Sequence, residues 1–396
     1  FGPDDHWPRA WAEAYVQRAN AEIFDWLRGI GVQFMPMPLW VERGLHTPGN
    51  SVPRWHIVWG TGHELAVVTN RHLLSRPNRD KLELRFGHRV ESLITTNGRV
   101  TGCRGGLEGS AQEFEAHAES VIIASGGING DIERVKNHWH ADWGRPPETI
   151  LNGSHKYADG RLHDAASALG ANVTHLDWQW NYAAGVHHWQ PRKPAHGLSL
   201  VPPKSALWLN WRGERIGPMP LVTGYDTHDL VAQICRQERA YSWQLLNKRI
   251  ALKELAISGG EFNPAFRDKK RLAVARDMLR GNRWLYDQVT QNCPDFVVAD
   301  TLPDLVDKMN GLVGDGSVSL DAVADAATRY DALIDLGPRF HTDDQLRRIE
   351  FARRWMGDRL RTCKFQKILD PQAGPLVAIR EFIISRKSMG GLQTDL

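Results

Sequence analysis

A chain of 396 residues that is 42% apolar and 24% charged has the composition of a folded protein of two or three domains, not of a disordered one. Its net charge is +3, and the densest basic run, Arg267 to Arg271, is interrupted by Asp268, so nucleic acid is not expected as a partner. No stretch of about 18 apolar residues occurs, so no membrane-spanning helix is expected. The scattered cysteines Cys103, Cys235, Cys293 and Cys363 offer neither a CxxC spacing nor a disulfide framework, which suits a reducing, cytoplasmic setting.

In chain order, the segment from Trp7 to Gly29 carries Trp11, Tyr15, Ile23, Trp26 and Leu27 at helical spacing, with Pro8 in the first turn and Gly29 and Gly31 at the end. A Pro/Gly-rich loop to about Pro53 precedes a second helix, from near Gly62 to a stop at Pro77. From Leu82 the period changes to two. The runs KLELRF, RVESLITT, RVTGCRG and QEFEAHA predict an antiparallel meander, with Asn97-Gly98 as its clearest turn.

SVIIASGGING follows, an apolar run without alternation, which predicts a parallel strand buried on both faces. It opens into Ala124-Ser125-Gly126-Gly127, bare backbone at the carboxyl edge of a sheet, where α/β folds bind ligands. ADGRLHDAASALGANV reads as a helix closed by Gly170, and the stretch from Asp177 to Thr227 as loops with short strands. Helices are predicted over about 228 to 258, 266 to 288, 303 to 313, 320 to 335 and 342 to 358, before a last strand, GPLVAIREFII.

Several signatures are missing. There is no GxxxxGK[ST], no GxSxG around Ser125 and no GxGxxG. The pairs His138/His140 and His187/His188 lack acidic or cysteine ligands at metal spacing, so no metal is expected.

Taken in order, the motifs resemble one family. RVESLITTNGRVTGCRG, leading into AESVIIASGGINGDIERV, resembles the flavin-binding domain of the fumarate reductase and succinate dehydrogenase flavoproteins. YADGRLHDAASALGA, LWLNWRGERI, VVADTLPDLVDKMNGLVG with LDAVADAATRYDALIDLGPRF, and GPLVAIREFIISRKSMGGLQTD then match further family segments in family order. The nearest branch is similar to 3-ketosteroid delta-1-dehydrogenase and shows Trp-rich segments like GNSVPRWHIVWGTG.

The resemblance implies an α/β (α+β) fold: a Rossmann-like FAD-binding domain with an antiparallel meander, interrupted by an inserted capping domain. Residues 1–150 would be part of the FAD-binding domain, 151–365 mainly the substrate or capping domain, and 366–396 the return to the FAD-binding domain. Further chain is expected before Phe1, carrying GxGxxG, and after Leu396. The implied chemistry is hydride transfer between flavin N5 and a substrate carbon-carbon bond, with FAD as cofactor, a small-molecule substrate and an unspecified electron acceptor.

By the same resemblance Val90, Ala124, Ser125, Gly126, Gly127, Asp159, Met389, Gly390 and Gly391 would contact the cofactor. Arg386 and Lys387 stand where fumarate reductases carry two substrate-binding histidines, and could hold a carboxylate or an enolate. The strand that bears a tyrosine in ketosteroid dehydrogenases has none here, which leaves Tyr182, Tyr225 and Tyr241 as hydroxyl candidates, Tyr182 first. Trp178, Trp180, Trp189, Trp208 and Trp211 are candidates to wall an apolar pocket. Two other readings stay open: a partial, non-catalytic piece of such a flavoprotein, and an apolar-ligand-binding protein without redox chemistry.

Overall fold

The computed structural model describes residues 1–35, 57–217, 226–354 and 356–396; the loop around Pro53 and the candidate Tyr225 lie outside them. The first helical segment forms in consecutive pieces, His6–Arg18, a π-helical turn Ala19–Phe24 and Asp25–Gly29. A second helix spans Thr61–Leu74. The meander forms from His88–Thr96 (β1), Arg99–Leu107 (β2) and Glu113–His117 (β3), all antiparallel. At its first turn Asn97 and Gly98 both take left-handed backbone, φ 50° and 76°, as a two-residue hairpin turn demands.

Two expected strands do not form. KLELRF follows a short 3-10 turn, Arg79–Lys81, and leaves Leu84 and Phe86 exposed. Val121 to Ala124 belongs to no sheet, and Ile122 is 92% exposed rather than buried on both faces. The reason is the same in both cases. A strand exists only through hydrogen bonds to a neighbour, and among the described residues no strand pairs with either run.

The other strands are Ile150–Asn152 (β4), Val173–Thr174 (β5), Gln179–His187 (β6), Gly197–Val201 (β7), Leu207–Leu209 (β8), Tyr241–Asn247 (β9), Ala256–Ile257 (β10), Phe296–Ala299 (β11), Leu376–Ser388 (β12) and Gly391–Leu392 (β13). A large sheet runs in the order β10-β7-β6-β12-β9-β8, with β4 and β11 also on β12. Its pairings are antiparallel except for β4 on β12.

Strand β9 lies inside a region expected to be one helix. Its residues sit between β12 and β8 and are buried at almost every position, so pairing and burial override the local pattern. Helices Thr227–Cys235 and Lys248–Glu254 are what remains of the expected one. The amphipathic stretches expected farther on form as Leu302–Val313, Leu320–Asp335 and Asp344–Ala352, each started by a side-chain cap from Thr301, Ser319 or Asp343.

Strand β12 is the spine of the molecule. Leu376 to Ile379 pair with β9 and β11, and Ile383 to Ser385 pair with β4 and β6. Trp208, Trp243, Leu245, Ile379 and Ile383 are buried on this sheet, at roughly 1.5–3 kcal/mol for each large aliphatic side chain.

Glu381, between those two halves of β12, is 0% exposed and lies in register with Ser242; neither carboxylate oxygen has a hydrogen-bond partner among the described residues. Burial first, and the nearby Asp295 charge second, push its carboxyl well above the usual range. The folded state therefore holds a proton that the unfolded chain releases above its ordinary pKa of about 4.3. Stability from this group is full below that pH and is lost as pH rises toward the folded value. Glu381→Gln is expected to raise Tm at pH 7, with the gain disappearing by about pH 4; thermal melts of both proteins across that range check it.

Candidate active site

The expected cofactor residues converge around the helix Arg161–Ser167. Gly160 enters it in left-handed backbone, φ 74°, and the Asp159 carboxylate accepts the Arg161 N–H at 3.1 Å. Strand β1 is tied to this turn by two crossed ion pairs, Arg89 to Asp159 at 3.8 Å and Arg161 to Glu91 at 2.8 Å, with the half-buried Val90 between their β1 ends. From another side Gly126, in left-handed backbone with φ 81°, stands beside Ala158, whose side chain would be in ordinary contact with an added Cβ at 3.4 Å.

The end of β12 closes the site. A Cβ on Gly127 would lie 2.2 Å from Ser388 Oγ, so glycine is needed for the chains to touch. The contact is held by a polar clasp: Asn129 Nδ2 donates to Ser385 Oγ at 2.6 Å, Ser388 Oγ donates to Asn129 Oδ1, and the Ile128 N–H donates to Ser388 Oγ at 2.9 Å. Beyond it Met389 N–H donates to the Trp178 carbonyl at 2.8 Å, and β13 pairs with β5.

Gly390 passes over the Thr174–His175 backbone, where a Cβ would be 1.9 Å from the His175 carbonyl oxygen. Gly390→Ala is expected to weaken FAD binding about ten- to hundredfold, from an overpacking cost of ~1–3 kcal/mol. Quenching of flavin fluorescence on titration measures it; an unchanged Kd would detach this turn from the cofactor.

Val90, Ser125 to Gly127, Asp159 and Met389 to Gly391 thus share one region, in which Ala124, Ser125 and Gly126 are exposed and Met389 is 62% exposed. Beside this ledge of bare backbone lies His163, buried, whose ring is 3.2 Å from a Cβ placed on Gly391. Burial lowers its pKa, opposed by Asp164 and by a hydrogen bond to the Gly126 backbone, and Nδ1 has no partner among the described residues. A neutral imidazole with an unpaired nitrogen under an open ledge suits a flat ring with polar edges, as the FAD isoalloxazine is.

His163, Asn129 and Ser388 were not legible as site residues. Each reads as an ordinary position of a helix, a glycine turn or a strand end, and only the fold brings them together.

A second face of the site comes from β6 and β12. Trp180 and Tyr182 are two residues apart on β6 and so share a face. The Arg386 guanidinium lies 5.1 Å from the Tyr182 ring centre, and the Lys387 ammonium 5.2 Å from that of Trp180. Consecutive strand residues normally point to opposite faces. Here the register shifts between Ser385 and Lys387, a bulge that turns both cations to the same side. Leu151, Phe382 and Ile384 are buried and form a small apolar core behind the half-buried Tyr182 and Tyr241.

The other tryptophans do not join it. Trp178 stacks on His175 at 4.1 Å, Trp189 packs on Phe262, Trp208 is core, and Trp211 lies between the Arg212 and Arg239 guanidiniums. The expected tryptophan-walled pocket is replaced by separate packing roles, because these residues sit on different strands and loops.

The family described as FAD binding domain matches residues 2–396. A KsdD-like steroid dehydrogenase of Mycolicibacterium smegmatis (strain ATCC 700084 / mc(2)155) is 39% identical over 413 residues, covering 100% of this chain and 74% of that protein. Another, from Mycobacterium tuberculosis (strain ATCC 25618 / H37Rv), is 37% identical over 414 residues, covering 100% and 72%. Among solved structures, the open conformation of a flavocytochrome c3 fumarate reductase has a TM-score of 0.54 at 17% identity. That likeness, of fold alone, covers 94% of this chain and 52% of that one.

Proposed function

The chain belongs to the FAD-binding domain family of oxidoreductases, and from that premise we propose that it transfers a hydride at a CH–CH bond next to the carbonyl of an apolar, steroid-like ketone. The observation that carries this reading is the bulge on β12, which groups Arg386 and Lys387 with the rings of Tyr182 and Trp180, one step from the glycine ledge.

Bound FAD supplies the hydride acceptor or donor. Arg386 and Lys387 hold the substrate carbonyl oxygen and stabilise negative charge that develops on it. The Tyr182 hydroxyl takes or returns the accompanying proton. The half-buried Tyr182 ring offers a face along which a flat substrate can lie, backed by the buried Phe382 and Ile384. Val90, Ala124 to Gly127, Asp159 and Met389 to Gly391 hold the cofactor.

We read residues 1–150 and 366–396 as parts of the FAD-binding domain and 151–365 mainly as the capping domain. A cytoplasmic setting is supported by free Cys103, Cys235, Cys293 and Cys363; burial pushes the thiols of Cys235 and Cys293 up to about 12. No helix among the described residues is long and apolar enough to cross a membrane. The pair of cations also favours a second reading, reduction of an enoate or dicarboxylate.

Anaerobic mixing of flavin-loaded protein with 3-ketosteroids, and of the chemically reduced protein with enoates and dicarboxylates, separates these readings. Bleaching by ketosteroids supports the first, and reoxidation by enoates or dicarboxylates alone supports the second. Loss of both, with no reduction of an artificial electron acceptor, refutes redox catalysis by the protein.

A further inference from the structure

Away from that site, His140, Asp142 and His228 each bring one ligand atom within 4.8 Å of the others. Both histidines are held by the fold. His140 precedes the 3-10 turn Ala141–Trp143, and His228 stands in the first turn of the helix Thr227–Cys235, where Asp226 caps the Asp229 N–H at 3.0 Å. The Trp143 indole N–H donates to the His228 carbonyl at 3.1 Å, and its ring lies against both imidazoles, 5.5 Å from His140 and 5.1 Å from His228.

The two edges of the His140 ring differ. Nδ1 accepts the Asp142 N–H at 3.2 Å and lies 3.9 Å from the Asp142 carboxylate, whereas Nε2 faces the Asp177 carboxylate at 3.9 Å. Nδ1 is thus an acceptor on the Asp142 side while Nε2 lies on the side of a second carboxylate, and metal-bound histidines commonly turn their other ring nitrogen to a carboxylate.

We propose that His140, Asp142 and His228 bind a divalent transition ion of the Zn²⁺ and Co²⁺ class, with Asp177 orienting His140 and water completing the shell. Two imidazoles and a carboxylate suit these ions; Mg²⁺ and Ca²⁺ take oxygen ligands. Ligand atoms ~2.0–2.2 Å from such an ion stand about 3.3–3.6 Å apart in a tetrahedron. The exposed Asp142 and His228 side chains reach that spacing by rotating inward, and the weak Asp142 N–H contact to Nδ1 is given up. The ion ties the 3-10 turn to a helix that packs on β6, under the strand that carries Tyr182. Sequence spacing does not show this cluster, because His228 comes from a segment distant from His140 and Asp142.

Untagged, chelator-treated protein titrated with Zn²⁺ by calorimetry, and with Co²⁺ by visible absorption, tests the site. Uptake of one ion per chain is expected, weakened tenfold or more by His140→Ala and by His228→Gln. His228 is exposed, so its variant keeps the fold whatever becomes of the half-buried His140. No saturable uptake, or uptake unchanged in His228→Gln, overturns the proposal.

Discussion

Replacing Arg386 and Lys387 together by alanine is expected to lower kcat/KM by about a hundred- to thousandfold, the usual cost of removing donors aimed at a developing negative charge. Neither side chain is fully buried. Lys387 is exposed, and Arg386 is half-buried with a long 3.4 Å hydrogen bond to Ser199 Oγ. Both lie over aromatic rings, Tyr182 and Trp180, on the side of the sheet that we propose faces substrate. Lys387→Arg keeps the charge and is expected to retain most of the activity. Turnover within threefold of the parent in the double variant, at equal flavin content and Tm, would remove the pair from the active site.

Asp295→Ala is expected to cost about 3–5 kcal/mol of stability, the range for stripping one partner from a buried ion pair. Asp295 is 0% exposed and accepts from Arg380 Nε and Nη2 at 3.3 and 3.2 Å, and from the His187 N–H and Nδ1 at 2.7 and 2.8 Å. Without it the Arg380 guanidinium, 19% exposed, keeps among the described residues the Leu312 carbonyl at 3.1 Å and the face of the Phe382 ring. Asp295→Asn keeps hydrogen-bond acceptance without the charge and is expected to lose less. Denaturant unfolding of the three proteins measures this; a loss below 1 kcal/mol for alanine would mean that water replaces the carboxylate.

Much of this molecule was open to a reader of the chain. Helices 302–313 and 320–335 announce themselves through capping residues and an apolar stripe, and the meander through its Asn97-Gly98 turn, because these signals act over a few neighbouring residues. Membership of a flavoprotein family was legible in the order of several weak motifs, which a random chain does not reproduce. Strand β9 was not, since its state depends on β12 and β8, both distant in sequence.

The last twelve residues make the division clearest. That the backbone must come close to something is written in Gly390 and Gly391, because only glycine lacks the Cβ that would collide. What it comes close to, the His175 carbonyl and the His163 ring, depends on where β5 and the helix at Arg161 are packed. Likewise the residue types Arg386 and Lys387 promise positive charge, but a regular strand would send them to opposite faces. Their common side is created by a bulge, and a bulge is a property of two paired strands that neither strand carries alone.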